Sequence, residues 1–402
     1  MTTLDAREER VIPNTGEEIL AAVKALAPEL RKRSVEIEQS RRLPSDVVEL
    51  IRGAGVFRMG FAKEFGGADL TSMEQTRVLE ALSYGDTSVG WCGMIGMDSG
   101  LYSAYLSKTA VQEMFPTPDM STGGLINPNG RAERVRGGYR LTGHWNLGSG
   151  TTHADWISAG AHTYTDGQQD VNANGNPNWR VMLVRPSEVK LIDTWHSTGL
   201  AGSGSLDYEI SDVFVPEAHT FSFGTALSRS GPLSAPDALM RKMPGVPLGA
   251  ARAALDFARD IARTKVNRLT GAPWSDDYRV QFALGECEMD FITMRHAVYG
   301  SLEHRWKRLE AGAAFEDLTP DERVETVLLA LKAFRGALSI VRRLYDLLAT
   351  TSIYKPSPMD RWLRDLNTMC QHVMAQDVIV QSAGAYLVGG KPQFPFTVGI
   401  TE

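Results

Sequence analysis

A serine held between two glycines, Gly148-Ser149-Gly150, is the stretch of this 402-residue chain best suited to chemistry on a flat ligand. Neither neighbour carries a side chain, so the backbone there admits close approach. The hydroxyl can donate one hydrogen bond and accept two. Trp145 and Trp156 flank the turn and offer flat surfaces for an aromatic ring. A second reactive group is His372, alone in an apolar stretch; an unperturbed imidazole titrates near 6.5 and gives or takes a proton near neutrality. Ser203 and Ser205 lie in a glycine-rich turn whose small residues and backbone N–H groups suit phosphate or pyrimidine contacts. Asn127, just before Pro128, is either a ring or substrate contact or an ordinary turn residue. Among the other histidines, His153 reads as structural, His144 as outward-facing, and His196 as within reach of a phosphate or ribose.

The elements that must position these groups come in three parts. Residues 17 to 55 read as helices, with Ile19, Val23, Leu26 and Leu30 at helical spacing and Ser45 as an N-cap. Helical patterning resumes from Ser72 to Leu106, apolar nearly all round in its second half. From about Pro116 the composition turns to glycine, proline and β-favouring residues. Gly138–Leu141, Trp156–Gly160, Arg180–Val184 and Leu206–Val215 read as strands of an antiparallel unit, with a polar surface loop from Thr165 to Asn178. Four long helices are expected over about 246–267, 276–311, 319–352 and 360–388, the lengths of a helical bundle. The boundaries expected are residues 1–117, 118–232 and 233–402. The fold class expected is α+β, mainly α: an N-terminal helical domain, a central antiparallel β domain and a C-terminal four-helix bundle.

Bulk properties narrow the partners. A net charge of −6 argues against nucleic acid as the main partner, and no apolar run of about 18 residues predicts a membrane span. The N-terminus, MTTLDAREER, lacks the apolar core of a signal peptide, and Cys92, Cys287 and Cys370 form no CxxC motif. A cytoplasmic location is expected. The eight histidines show no metal-ligand spacing.

The order of helices, β unit and bundle resembles the acyl-CoA dehydrogenase fold. Four stretches carry a closer resemblance to the oxygenase components of two-component flavin monooxygenases. They are Pro44-Ser45-Asp46 with Glu64-Phe65-Gly66-Gly67; Gly143 to Gly150 continuing to His153 and Trp156; Trp195 to Ser205 followed by Asp212-Val213-Phe214-Val215-Pro216; and Arg361-Trp362-Leu363-Arg364-Asp365 running to His372. The resemblance implies reduced FMN or FAD delivered by a separate NAD(P)H:flavin reductase, O2 as co-substrate, a homotetramer and a small aromatic or heteroaromatic substrate. The oxygen would be transferred through a C4a-hydroperoxyflavin. It also implies that Ser149 faces N5 of the flavin, that Trp145, Gly150, Ser203, Ser205 and Asn127 contact the cofactor, and that His372 manages a proton near the substrate. Departures from the pattern are Leu147 at an aromatic position, Ala201 at a frequent arginine position, and Asn267-Arg268-Leu269-Thr270 in place of R-x-Q-F-G. The helix around Met97 lacks a histidine of the hydroxylase branch, leaving Asp98, Ser99 or Tyr102 for the substrate.

Dehydrogenase chemistry on this fold needs a carboxylate to remove a proton next to a thioester. The equivalent position is near Val373, and no Asp or Glu occurs between Leu366 and Gln376. Asp237, beside Pro236, is a poor substitute. Oxygenation instead needs a dry pocket and a hydrogen bond to the reduced flavin. Nitrogen or sulfur oxygenation on the same scaffold is the nearest alternative. Arg361, Arg364 and Asp365 read as an ion-pair cluster holding the bundle together.

Overall fold

The computed structural model describes residues 12–172, 175–224, 226–355 and 357–400; the MTTLDAREER stretch lies outside the described residues. Six helices come first: α1 (Gly16–Ser40), α2 (Ser45–Gly53), α3 (Ser72–Gly85), α4 (Thr87–Gly96), α5 (Asp98–Ser103) and α6 (Lys108–Met114). Ser45 is itself the first helical residue and Pro44 the cap, with no side-chain cap bond, contrary to the N-cap expected of Ser45. The apolar stretch from Ser72 to Leu106 is divided by Asp86, whose extended backbone ends α3. Its carboxylate then accepts the Val89 N–H to start α4.

The sheet comprises β1 (Thr122–Val135), β2 (Gly138–Gly148), β3 (Trp156–Thr165), β4 (Gln168–Gln169), β5 (Trp179–Val184), β6 (Lys190–Ile192), β7 (Leu206–Pro216) and β8 (Thr220–Phe221), in the order β6-β7-β2-β1-β3-β5-β8 with β4 on β3. The sheet is not wholly antiparallel: β1 pairs with β3 in parallel. Antiparallel β2 ends where β1 begins, so the chain must cross the start of β1 before β3 can run beside it. Residues 149–155 make that crossing. A Cβ on Gly123 would lie 2.6 Å from the Gly150 carbonyl carbon, so the two chains cannot pass so closely with a larger residue there.

The remaining helices are α7 (Ala238–Arg241), α8 (Gly245–Thr264), α9 (Tyr278–Glu310), α10 (Pro320–Leu348), α11 (Pro358–Met369) and α12 (Asp377–Leu387). Thr319 and Glu322 form a capping box at the start of α10, with Pro320 at its first position. Gly249 in α8 lets α3 approach closely, since a Cβ would meet the Glu80 carbonyl at 2.2 Å. The helix expected over 360–388 is two helices, interrupted by a short 3-10 turn at Val373–Ala375. His372 caps that turn. The main apolar core joins α1–α4 to α8–α11, and a separate cluster fills the sheet around Trp145 and Tyr208.

Candidate flavin and substrate site

The crossing segment presents Ser149. Leu147, the residue before Gly148, has a left-handed backbone with φ 58°, and Gly150 follows at φ 77°. Ser149 is fixed between them by bonds from its N–H to the Leu147 carbonyl (2.8 Å) and from the Gly124 N–H to its own carbonyl (3.0 Å). Its side chain is buried and belongs to a chain of polar groups. The Trp91 indole N–H donates to Ser149 Oγ at 3.0 Å. Ser149 Oγ and Ser205 Oγ lie 2.7 Å apart, as do Ser205 Oγ and Ser203 Oγ.

Counting lone pairs gives this chain its chemistry. Ser149 accepts from Trp91, which can only donate. When Ser149 donates to Ser205, one of its lone pairs remains for an N–H of a ligand. When Ser205 donates instead, both lone pairs are engaged and Ser149 offers its proton outward. The hydroxyl pair therefore switches Ser149 between acceptor and donor without moving a heavy atom.

His372 meets the other side of Trp91, edge to face, with ring centroids 5.4 Å apart. Its Nδ1 accepts the Met374 N–H at 3.3 Å, so in the neutral ring the proton sits on Nε2. Desolvation lowers its pKa to about 4. Of the two roles expected of His372, giving or taking a proton near neutrality, burial disfavours the second: near neutral pH it is an uncharged Nε2–H donor, its Nδ1 lone pair engaged by the backbone.

Ser203 and Ser205 are delivered by the turn between β6 and β7, which lies on α11. Arg364 donates to the Thr198 carbonyl at 2.8 Å, and the Leu200 N–H donates to Asp365 Oδ1 at 2.7 Å. A Cβ on Gly199 would be 2.1 Å from the Arg364 carbonyl oxygen.

Three expected site residues fall elsewhere, and a fourth stays buried away from this chain of groups. Trp145 faces the sheet core with Tyr139 and Leu141, as strand alternation along β2 dictates. It stacks on Tyr208 at 5.3 Å and donates its N–H to the Gly160 carbonyl at 2.8 Å. Asn127 is exposed on β1 and bonds Asn129. Asp98 is buried against Lys242, whose Nζ lies 2.5 Å from Oδ1 and also donates to the Leu239 carbonyl. Burial raises the Asp98 pKa, an effect Lys242 opposes. Tyr102 packs on Phe221 at 5.2 Å, and burial holds its hydroxyl well above the usual phenol range. Asp237 is buried with Arg241 and Arg305 and is a structural ion-pair residue.

Sequence reasoning missed Trp91 and assigned His153 no chemistry. Among the described residues, His153 Nε2 and Thr122 Oγ1 are buried polar atoms without a hydrogen-bond partner. A Cβ on Gly150 would lie 3.7 Å from both His153 Nε2 and the Thr122 carbonyl oxygen. Burial lowers the His153 pKa to about 4, so its ring is neutral. A buried ring nitrogen without a partner, beside a backbone kept open by glycine, fits the polar edge of a flavin. The donor and acceptor groups present therefore suit that cofactor.

Comparison with known proteins identifies the family. Residues 14–114 match the acyl-CoA dehydrogenase N-terminal domain and residues 244–377 the acyl-CoA dehydrogenase C-terminal domain. The indole-3-acetate monooxygenase of Pseudomonas putida is 30% identical over 90% of this chain and 91% of its own length. The chain belongs to the flavin-dependent monooxygenases of the acyl-CoA dehydrogenase family. The flavin-dependent monooxygenase oxygenase subunit HsaA of Mycobacterium tuberculosis is 25% identical, with 100% of both chains covered. XiaF from a Streptomyces species, solved in complex with FADH2 and glycerol, superposes with a TM-score of 0.85 at 24% identity, covering 94% of this chain and 96% of that one. As a member of this group, the chain uses reduced flavin and O2.

Proposed function

We propose that this monooxygenase inserts one oxygen atom into a small, largely apolar aromatic or heteroaromatic substrate, with Ser149, Trp91 and His372 at the reacting centre. The single observation that carries the reading is the Ser149 hydroxyl, held by Trp91 yet left with a lone pair whenever it donates to Ser205. Reduced FMN or FAD, when bound, supplies the electrons that activate O2. Ser149 Oγ would accept the N5–H and keep that proton in place. Thr122 and His153 would satisfy the polar edge of the ring, and Ser203 and Ser205 would orient Ser149. His372, neutral, would donate from Nε2 toward the oxygen being transferred. Indole-3-acetate, for which the Pseudomonas putida relative is named, is of the substrate class intended here.

A separate NAD(P)H:flavin reductase would provide the reduced flavin, by diffusion or docking. A homotetramer belongs to this reading. The outer face of α9 exposes Tyr278, Phe282, Met289 and Ile292 at alternating helical spacing, a stripe suited to another copy of the chain. So do the three-part division at residues 117 and 232 and a cytoplasmic location. Among the described residues no helix is long and apolar enough to cross a membrane.

The test is to mix the protein anaerobically with reduced FMN or FAD, add O2 and record spectra. The expected result is a transient near-ultraviolet band before full reoxidation, shorter-lived in Ser149→Ala. Immediate reoxidation in both proteins would overturn the assignment of Ser149.

A further inference from the structure

The contacts around the site close into a ring. From α11, Asp365 holds Leu200; the Leu200 turn carries Ser203 and Ser205; these reach Ser149; Ser149 binds Trp91; and Trp91 meets His372, just beyond the end of α11. Leu200 has a left-handed backbone, φ 49°, and starts the short 3-10 turn Ala201–Ser203. A leucine there is strained, and the Asp365 bond holds its N–H in that conformation from α11. We propose that Asp365 is a positioning residue for flavin binding, fixing the Ser203–Ser205–Ser149 chain through the Leu200 N–H, with a grip that tightens when Asp365 is ionised. This inference rests on the flavin site proposed above.

Asp365 is only 5% exposed. The charged groups whose influence reaches it are Asp86 at the start of α4 and, on its own helix, Arg361 and Arg364; Glu38 of α1 pairs with both arginines. Burial first, then Asp86, pushes its pKa up to about 7, against the Leu200 N–H and the two arginines. Arg361 is buried, its Nη1 has no hydrogen-bond partner among the described residues, and Glu38 is 3.9 Å away. Asp86 is also buried, is raised by burial, and caps the helix that carries Trp91. The two carboxylates thus anchor the two elements that meet at Ser149. A charged acceptor binds an N–H more strongly than a neutral one.

The experiment is anaerobic titration of reduced FMN, followed by tryptophan fluorescence, for wild type, Asp365→Ala and Asp365→Asn between pH 6 and 8. Circular dichroism and melting temperature report folding. Wild type should bind more tightly above pH 7 than below. Asp365→Ala should bind about tenfold more weakly, the scale of a lost charge-assisted hydrogen bond. Asp365→Asn keeps an acceptor and should lose the pH dependence while binding within about threefold of wild type at pH 6. A folded Asp365→Ala with wild-type affinity and pH profile overturns the inference and leaves the flavin site standing. If Asp365→Ala does not fold, Asp365→Asn decides, and retention of the wild-type profile overturns the inference. No binding of reduced FMN by wild type overturns both this inference and the flavin site.

Discussion

Trp91 donates its indole N–H to the hydroxyl of Ser149 across 58 positions of sequence, at 3.0 Å and out of contact with water. The bond removes one of the hydroxyl's two acceptor sites and fixes the direction of the other. Trp91→Phe keeps a ring beside His372 but frees Ser149 to rotate. We expect a loss of about 1–3 kcal/mol in denaturant melts, the range for one broken buried hydrogen bond. More of the O2 consumed should appear as hydrogen peroxide, measured against product formed.

Ser205→Ala should separate the two states of Ser149. Without Ser205 the hydroxyl can neither receive that proton nor pass its own that way. Reduced flavin should still bind, since Trp91 and the backbone turn remain. The rate of peroxide release should rise as in Ser149→Ala, though less. Equal coupling of oxygen use to product in wild type and Ser205→Ala would remove Ser205 from the orienting chain.

The pH dependence of stability follows from three buried groups with opposite signs. His372 and His153 titrate at about 4 when folded, against 6.5 for the free side chain. Folding favours the neutral rings, so their contribution is present above pH 6.5 and is lost as pH falls toward 4. Asp365, raised from 3.8 to about 7, has the reverse effect: its contribution is present below 3.8 and is lost as pH rises toward 7. Urea melts from pH 4 to 7 should therefore show stability rising less steeply in His153→Asn and His372→Asn than in wild type. Asp365→Asn should make the rise steeper.

Leu147 is 57% exposed and left-handed at the lip of the turn. Leu147→Gly should stabilise the flavin-free protein by up to about 1 kcal/mol, relief of backbone strain exceeding the added chain entropy. It should weaken reduced-flavin binding, because an exposed leucine beside Ser149 has apolar surface to cover a ring. A fluorescence titration and a melt on the same variant separate the two effects.

Lys242→Met leaves Asp98 buried without its cation. Destabilisation of about 3–5 kcal/mol is expected, with much of it recovered in Asp98→Asn/Lys242→Met. Non-recovery, measured by chemical denaturation, would mean that the lysine stem contributes through packing and not through charge.

The legible part of this molecule was what local sequence determines. The glycines around Ser149, the β-favouring segments Trp156–Gly160 and Arg180–Val184, and the helical spacing after Pro247 follow from backbone freedom and periodicity. Trp91 was hidden because its helix is apolar on every face and its partner is remote in sequence. β1 was hidden because Pro128 and several glycines read as loop; register shifts between Leu125, Pro128 and Gly130 absorb them within a strand. Its parallel pairing is a property of topology that no short segment encodes. The break between α11 and α12 has neither proline nor glycine to mark it; it is made by the His372 cap, the group on which the chemistry depends. Lys242 lies just past a helix of four residues, too short to show a period.

The ring of contacts through Asp365, Leu200, Ser205, Ser149, Trp91 and His372 is closed by this chain's own groups. A free reduced flavin in air is short-lived, because O2 reacts with it in bulk solvent. Groups that hold one another in register need little ordering by the molecule they receive, which favours its capture before oxygen reaches it.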